Sequence, residues 1–206
     1  KPIVATAMMM LVERGEVDLW DEVARYLPGF KHQRVCRPDG QTEPANRPVT
    51  VYDLLSMTSG LVYDGDTPAG QQTAALFDEV KQGWQSDPRG TMSTVEFANR
   101  VGEIPLAFQP GSSWHYGVSA DVIGAIVEVA SGQTLGSFLE HELFEPLGMN
   151  DTGFYVKPSD LDRLAVPYAF TPGQPLTQYR DVGLGLVNVP SLPPRFESGG
   201  AGLISS

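Results

Sequence analysis

Apolar residues recur at helical spacing in two parts of the chain. In the first part they lie three or four positions apart, in the series Ile3, Val4, Ala7, Met10 and Leu11. Pro2 suits a first helical turn and Gly15 can end a helix in a left-handed conformation, so this pattern predicts a helix that begins beside Lys1. The second series predicts a helix that Gly132 ends, and it consists of Val122, Ile123, Ile126, Val127 and Val129.

Capping residues predict most of the remaining helices. A Ser, Thr or Asp before an apolar series accepts a hydrogen bond from the first helical turn, and an acidic residue three positions later completes a capping box. The further predicted helices are 18–26 capped by Asp18, 51–57 capped by Thr50 with Asp53, 73–84, one through about Val101 capped by Ser93 with Glu96, and one that follows Thr134.

Proline, glycine and polar residues predict long loops between these helices. The predicted loops cover 31–48, 62–72 and 105–113, and proline or glycine recurs every few residues from 167 to 194. Short strands are expected only around 184–189. Loops of this length in a compact protein are typical of segments that line a site.

Composition narrows the class of protein. A chain of 206 residues suits one domain, or one domain and part of a second. Its formal net charge of −11 predicts no nucleic-acid partner, because phosphate binding needs a basic stripe. The longest apolar run, Ile3 to Val12, is too short to cross a bilayer, so no membrane span is predicted. Cys36 is the single cysteine, which leaves the compartment open between cytoplasm and periplasm.

Tyr116 is the first candidate for chemistry. It lies between a Pro110-Gly111 turn and a helix predicted to open near Ala120, and at such a junction a hydroxyl can face a cleft. Lys1, at the start of the first helix, is the lysine best placed to reach it. A lysine and a tyrosine that converge on an alcohol can remove its proton and make it a nucleophile.

Other residue clusters give no ligand site. His141 and Glu145 share a helix face at a spacing that could bind metal, but two ligands on a charged face are usually solvated. Gly183-Leu184-Gly185 lacks the third glycine and the following helix of a nucleotide site. The sequence therefore predicts neither a metal nor an organic cofactor.

Three stretches together resemble the serine β-lactamase-like hydrolases, the group that contains class C β-lactamases, family VIII esterases and D-Ala-D-Ala carboxypeptidases. Residues 51–61 (VYDLLSMTSGL) are similar to the family's Leu-Leu-Ser-His-Thr-Ser-Gly-Leu segment, with Met57 in place of the usual histidine. Residues 144–154 (FEPLGMNDTGF) and 197–205 (ESGGAGLIS) resemble two further shared stretches. In order and spacing these stretches cover nearly the whole chain.

The resemblance implies a fold and a set of site residues. The fold is α+β and β-lactamase/transpeptidase-like, with 1–206 as mostly the helical region of one domain, apparently truncated at both ends. Lys1 matches the lysine of the family's Ser-x-x-Lys motif, so the serine nucleophile is expected three residues before it. Tyr116 matches the tyrosine of the second motif, Tyr-x-Asn in the β-lactamases, where Val118 replaces the asparagine and Ser119 is a weak substitute for it in substrate binding. The third motif is expected after Ser206.

The activity implied is acyl transfer through a serine ester that water then hydrolyses. The expected substrate is a small-molecule ester, amide or β-lactam. Lys1 can act as the base if burial and a nearby positive charge keep it neutral, and Tyr116 can share that role. Two alternatives stay open: a penicillin-binding carboxypeptidase that acts on D-Ala-D-Ala peptides, and a non-catalytic binding relative, which the departures at Met57 and Val118 would suit.

Overall fold

Helices make up most of the regular structure in the computed structural model, which describes residues 1–178 and 191–206. The α-helices are α1 (Pro2–Glu13), α2 (Val51–Leu55), α3 (Pro68–Ser86), α4 (Thr94–Glu103), α5 (Ser119–Ser131), α6 (Leu135–Leu139) and α7 (Glu145–Leu147). A π-helical turn, Glu140–Phe144, joins α6 to α7. Three 3₁₀ turns cover Val23–Arg25, Pro28–Phe30 and Pro158–Arg163.

Helix α5 is the centre of the core. Its residues 119–127 are buried without interruption, and it packs against α1, α2, α4 and α6. A helix that is apolar or small on every side is stable only when other elements surround it, which explains its central place. The start of α5 is therefore fixed by its neighbours, and this limits where the residues just before it can lie.

The two strongest helical patterns are confirmed. Helix α1 ends just before Gly15 at φ +72°, and α5 ends at Gly132 at φ +70°, both in the left-handed region that glycine tolerates. The Thr50 and Asp53 side chains form both halves of the predicted capping box at α2. Ser93 and Thr134 cap α4 and α6 by accepting a backbone N–H from the first turn.

Two predicted helices differ from the structure. In place of a helix over 18–26 there is only the 3₁₀ turn Val23–Arg25, because the Asp18 and Asp21 carboxylates accept nearby backbone N–H groups and favour tight turns. Helix α3 begins at Pro68, five residues before the predicted start at 73. Thr67 caps it by accepting the Gly70 N–H, and proline suits its first turn.

The predicted loop over 31–48 contains a strand pair. β1 (Arg34–Cys36) and β2 (Thr42–Pro44) are antiparallel, with Val35 opposite Glu43. Val35 is buried, and Cys36 donates its N–H to the Leu106 carbonyl at 2.8 Å. The pair forms because Gly40, at φ +79°, turns the chain and because Pro44 lies at the edge, where it needs no ladder donor.

The C-terminal part has little regular structure. β3 (Tyr168–Ala169) and β4 (Thr177–Gln178) form a second short antiparallel pair, and Gly153 pairs with Ile204. The strands predicted around 184–189 lie outside the described residues. Within the described ranges, no single helix is both long and apolar enough to cross a membrane; only α5 together with the helical segment Leu135–Leu147, bent by 79°, meets that test as a pair.

Candidate active site

Lys1 lies against the far end of the chain. Its Nζ donates a hydrogen bond to the Gly200 carbonyl oxygen at 2.7 Å. The residue next to it in this segment, Gly199, packs so closely on the Ala120 carbonyl that a side chain there would collide with the start of α5. The first turn of α1, the start of α5 and residues 199–200 therefore meet at one place.

Tyr116 is brought to the same place from the loop before α5. The Lys1 Nζ lies 4.8 Å from the centroid of the Tyr116 ring, and the tyrosine is half exposed. Two contacts fix this loop: His115 donates its N–H to the Met57 carbonyl at 3.0 Å, and Gly117 packs directly on the Leu61 backbone. The two residues that the sequence pairs are therefore neighbours in the structure.

Met57 contributes to this arrangement through its backbone. Among the described residues it is the one non-glycine residue with positive φ, at +58°. A side chain in the left-handed region costs free energy, so the surrounding contacts must hold it there. The turn it makes aims its carbonyl at His115, which ties α2 to the Tyr116 loop. Met57, which replaces the family's histidine, thus lies where the backbone turn connects α2 to the Tyr116 loop.

Tyr63 is a site residue that the sequence reasoning missed. Its ring centroid lies 5.5 Å from the Lys1 Nζ and 5.7 Å from the Tyr116 ring centroid. Burial raises the pKa of Tyr63, the negative Asp121 raises it further, and Lys1 partly offsets both. Tyr63 follows the recognised 51–61 stretch by two residues, which is the signal that could have identified it.

The charge state of Lys1 differs from the expected neutral amine. Burial by itself would lower the pKa of Lys1, but the nearby Tyr116 and Tyr63 hydroxyl groups favour the charged amine and outweigh burial, so the pKa lies above its ordinary value. The neighbours are two phenols and a carbonyl oxygen rather than the second cation that the expectation required. Lys1 is therefore an ammonium at neutral pH in this arrangement.

Ser119 is not placed to contact a substrate. It is fully buried, and its hydroxyl shares a hydrogen bond of 2.9 Å with the hydroxyl of Ser59. The suggested substrate-binding role for Ser119 is therefore corrected, because the side chain points into the core as α5 begins. Val118 is also fully buried, so neither position offers an exposed polar group. Ser119 instead ties α5 to the segment that follows α2.

The other candidate clusters stay outside the site. His141 lies within 3.5 Å of the Ser137 hydroxyl on an exposed face. Across residues 1–178 and 191–206, no group of three His, Cys, Asp or Glu side chains is arranged to hold a metal ion. Gly183-Leu184-Gly185 falls outside the described residues.

Comparison with known proteins gives a family match over the whole chain. The family model described as Beta-lactamase matches residues 1–206. Esterase EstB of Burkholderia gladioli is 36% identical over 217 aligned positions, which cover 100% of this chain and 52% of that protein. Lovastatin esterase of Penicillium rubens is 29% identical, with 75% of this chain and 38% of the relative covered.

Solved structures match the same region. EstCE1, described as a hydrolase with promiscuous acyltransferase activity, superposes with a TM-score of 0.73 at 28% identity, over 100% of this chain and 53% of that one. Simvastatin synthase (LovD) of Aspergillus terreus superposes with a TM-score of 0.70 at 26% identity, over 98% and 48%. The chain spans about half the length of the curated relatives it matches most extensively.

Proposed function

Because this chain belongs to the beta-lactamase family, we propose that the whole protein is a serine hydrolase that cleaves an ester or amide through an acyl-enzyme. The membership and the β-lactamase/transpeptidase-like fold confirm the two predictions drawn from the sequence resemblance. The proposed nucleophile is a serine three residues before Lys1. The observation that carries the proposal is the convergence of Lys1, Tyr116 and the Gly200 carbonyl at one place.

The charge on Lys1 suggests how the two side chains divide the work. In the proposed acylation, a phenolate form of Tyr116 beside the Lys1 ammonium accepts the serine proton while the serine oxygen attacks the substrate carbonyl carbon. The intermediate then expels the alcohol, which takes that proton from Tyr116. Water next attacks the serine ester, so the acid leaves and the serine regains its hydrogen. The N-terminus of α1 favours the negative charge on the intermediate.

The residues that follow Tyr116 favour an ester over a β-lactam. An amide substrate gains from a side-chain amide contact at the position where the β-lactamases carry asparagine, but here Val118 and Ser119 both point into the core. The esterases among the relatives support the same choice. The acidic net charge of −11 supports a small-molecule substrate over a nucleic acid.

Covalent labelling of the full-length protein with a fluorophosphonate tests the mechanism. Lys1→Ala and Tyr116→Phe should each slow labelling by roughly a hundredfold, as expected for loss of a general base or of the cation that supports it. Two variants at exposed positions serve as controls. Tyr52→Phe alters a phenol that stacks on Trp20, and Lys81→Ala alters a lysine paired with Asp78. Both controls should label normally, and normal labelling of both site variants would contradict the mechanism.

Turnover of three substrates separates the activities within the family. The proposal predicts hydrolysis of p-nitrophenyl butyrate well above that of nitrocefin or of a D-Ala-D-Ala peptide. Preference for the peptide would instead support a carboxypeptidase. No turnover of any of them, with no labelling, would support a binding relative.

A further inference from the structure

Asp121 is a buried carboxylate directly beneath the candidate site. It is the third residue of α5 and is 1% exposed. Its Oδ1 accepts a hydrogen bond from the Ser198 hydroxyl at 2.5 Å and another from the Gly200 N–H at 3.1 Å. Ser198 in turn accepts the Ala201 N–H at 3.2 Å. Asp121 therefore holds the segment that reaches Lys1, directly at Ser198 and Gly200 and through Ser198 at Ala201.

One residue connects this carboxylate to the lysine. Gly200 donates its N–H to Asp121, and its carbonyl accepts the Lys1 ammonium. The Gly200 N–H belongs to the peptide unit before this residue, and its carbonyl belongs to the unit after it. That second unit is held through the Ala201 N–H, which donates to the Ser198 hydroxyl that itself donates to Asp121, so both units are tied to the carboxylate. A side chain at Gly200 would begin 2.7 Å from Asp121 Oδ2 and 2.9 Å from the Tyr63 hydroxyl, which shows how tightly Asp121 and Tyr63 enclose the glycine.

The carboxylate is costly to keep in this place. The described residues offer Asp121 Oδ2 no hydrogen-bond partner, and the ion pairs found there do not include Asp121. Burial raises the pKa of Asp121, and the bonds from Ser198 and Gly200 only partly oppose this. A buried carboxyl group without a cation in contact destabilises the fold, so packing alone does not explain it.

We propose that Asp121 is a positioning residue that acts on Lys1 through Gly200. Directly through the Gly200 N–H, and through Ser198 and the Ala201 N–H, it fixes the two peptide units that flank Gly200, so that the carbonyl holds the Lys1 ammonium beside Tyr116. This inference rests on the proposed hydrolase function. The essential feature of Asp121 is the Oδ1 acceptor. An asparagine retains an acceptor oxygen at that place and is nearly the same size, whereas alanine removes the acceptor altogether.

Kinetics of the full-length enzyme with p-nitrophenyl butyrate test this inference. Asp121→Ala should lower kcat at least tenfold with KM nearly unchanged, since Asp121 touches no substrate. Asp121→Asn should recover kcat to within about threefold of the original enzyme. Recovery by asparagine is the readout that distinguishes positioning through a hydrogen bond from a need for the charge.

Two further variants protect the test against loss of folding. Asp53→Ala removes another buried aspartate, at the third position of α2, whose side-chain hydrogen bonds go to Arg47, Thr50 and Thr58. This variant should keep kcat at temperatures below its unfolding midpoint. Ser198→Ala removes one donor to Oδ1 and leaves the Gly200 bond, so it should lower kcat by about threefold even if Asp121→Ala does not fold.

The outcomes separate this inference from the proposed function. Normal kcat in Asp121→Ala and Ser198→Ala would overturn the inference alone, provided that Lys1→Ala and Tyr116→Phe still slow labelling by roughly a hundredfold. An asparagine variant as impaired as the alanine variant would also overturn it. Normal labelling of Lys1→Ala and Tyr116→Phe would overturn the function, and the inference with it.

Discussion

Asp53 and Asp121 occupy equivalent positions in two different regions of the molecule. Each is the third residue of its helix, α2 or α5, and each is 1% exposed. Asp53 accepts two hydrogen bonds from the Arg47 guanidinium, at 2.6 and 2.8 Å, and completes a capping box with Thr50. Asp121 has a hydroxyl and an amide in place of the guanidinium.

The pKa values of the two carboxyl groups are shifted in opposite directions, through their hydrogen-bonding neighbours and through the deeper burial of Asp121. At Asp53, burial by itself would raise the pKa, but the bonds from Arg47 and Thr50 outweigh it and hold the pKa below its ordinary value. At Asp121, burial prevails and raises the pKa. The first carboxylate stabilises the fold as an anion, and the second is retained at a cost to stability. A cost of this kind beside Lys1 is typical of a functional site.

The largest effect is expected at the paired carboxylate. Asp53→Ala should lower the free energy of unfolding of the full-length protein by about 3 kcal/mol at pH 7, because it breaks a partly buried ion pair and removes a helix cap. The measurement is urea unfolding followed by circular dichroism. Asp39→Ala is the matched control, since Asp39 pairs with Arg37 at the surface and should cost under about 1 kcal/mol.

The pH dependence of that effect has a defined sign. The folded-state pKa of Asp53 is lowered, so its contribution is present above the ordinary value of 3.8 and is lost as the pH falls through the folded value. The difference between Asp53→Ala and the original protein should therefore narrow in acid. A difference that stayed constant down to pH 3 would show that the ion pair contributes little.

A third buried carboxyl group, Glu197, extends the comparison. Its Oε2 accepts the Gly136 N–H at 2.6 Å, and its own N–H donates to Thr94. Burial raises the pKa of Glu197 to about 7, and the nearby Glu128 adds to this against the opposing bond from Gly136. Like Asp121, Glu197 is buried and hydrogen-bonded, and the ion pairs of the described residues do not include it.

Glu197→Gln should therefore stabilise the protein at alkaline pH. With a folded-state pKa of about 7 against 4.5, the contribution of Glu197 is fully present below pH 4.5 and is lost as the pH rises through 7. Glutamine keeps the acceptor and cannot ionise, so the gain at pH 8 should be on the order of 2 kcal/mol relative to its value at pH 4.5. Thermal unfolding across this pH range measures it, and an equal effect at both ends would refute the assignment.

The sequence predicted elements whose signals are local. The helical spacing in α1 and α5, the Gly15 and Gly132 stops and the Thr50 capping box all depend on residues a few positions apart. The strand pair β1 and β2 was missed because it depends on burial of Val35 against Leu106, which no local pattern reveals.

The same distinction between local sequence signals and long-range contacts applies to the candidate site. Lys1 and Tyr116 were found because each lies within a recognisable family motif. Tyr63 was missed although it lies close to Lys1, since its place two residues after the 51–61 stretch was the one local signal and its distant partner is set by the fold. The contacts of Asp121 span 77 and 79 positions along the chain, so its role emerges only from the folded arrangement.

The smallest effect is expected at Asp121 itself, when stability rather than catalysis is measured. Asp121→Asn keeps the Oδ1 acceptor for Ser198 and Gly200 and removes a carboxyl group whose pKa is raised by burial. A raised folded-state pKa means that the stability contribution is present below 3.8 and is lost as the pH rises through the folded value. The variant should therefore lie within about 1 kcal/mol of the original protein near pH 5 and gain on it at higher pH. Unfolding midpoints of the variant and the original protein, measured at pH 5 and pH 8, test this prediction. A loss at pH 8 as large as that of Asp53→Ala would mean that Asp121 stabilises the fold as an anion, and the contrast between the two aspartates would disappear.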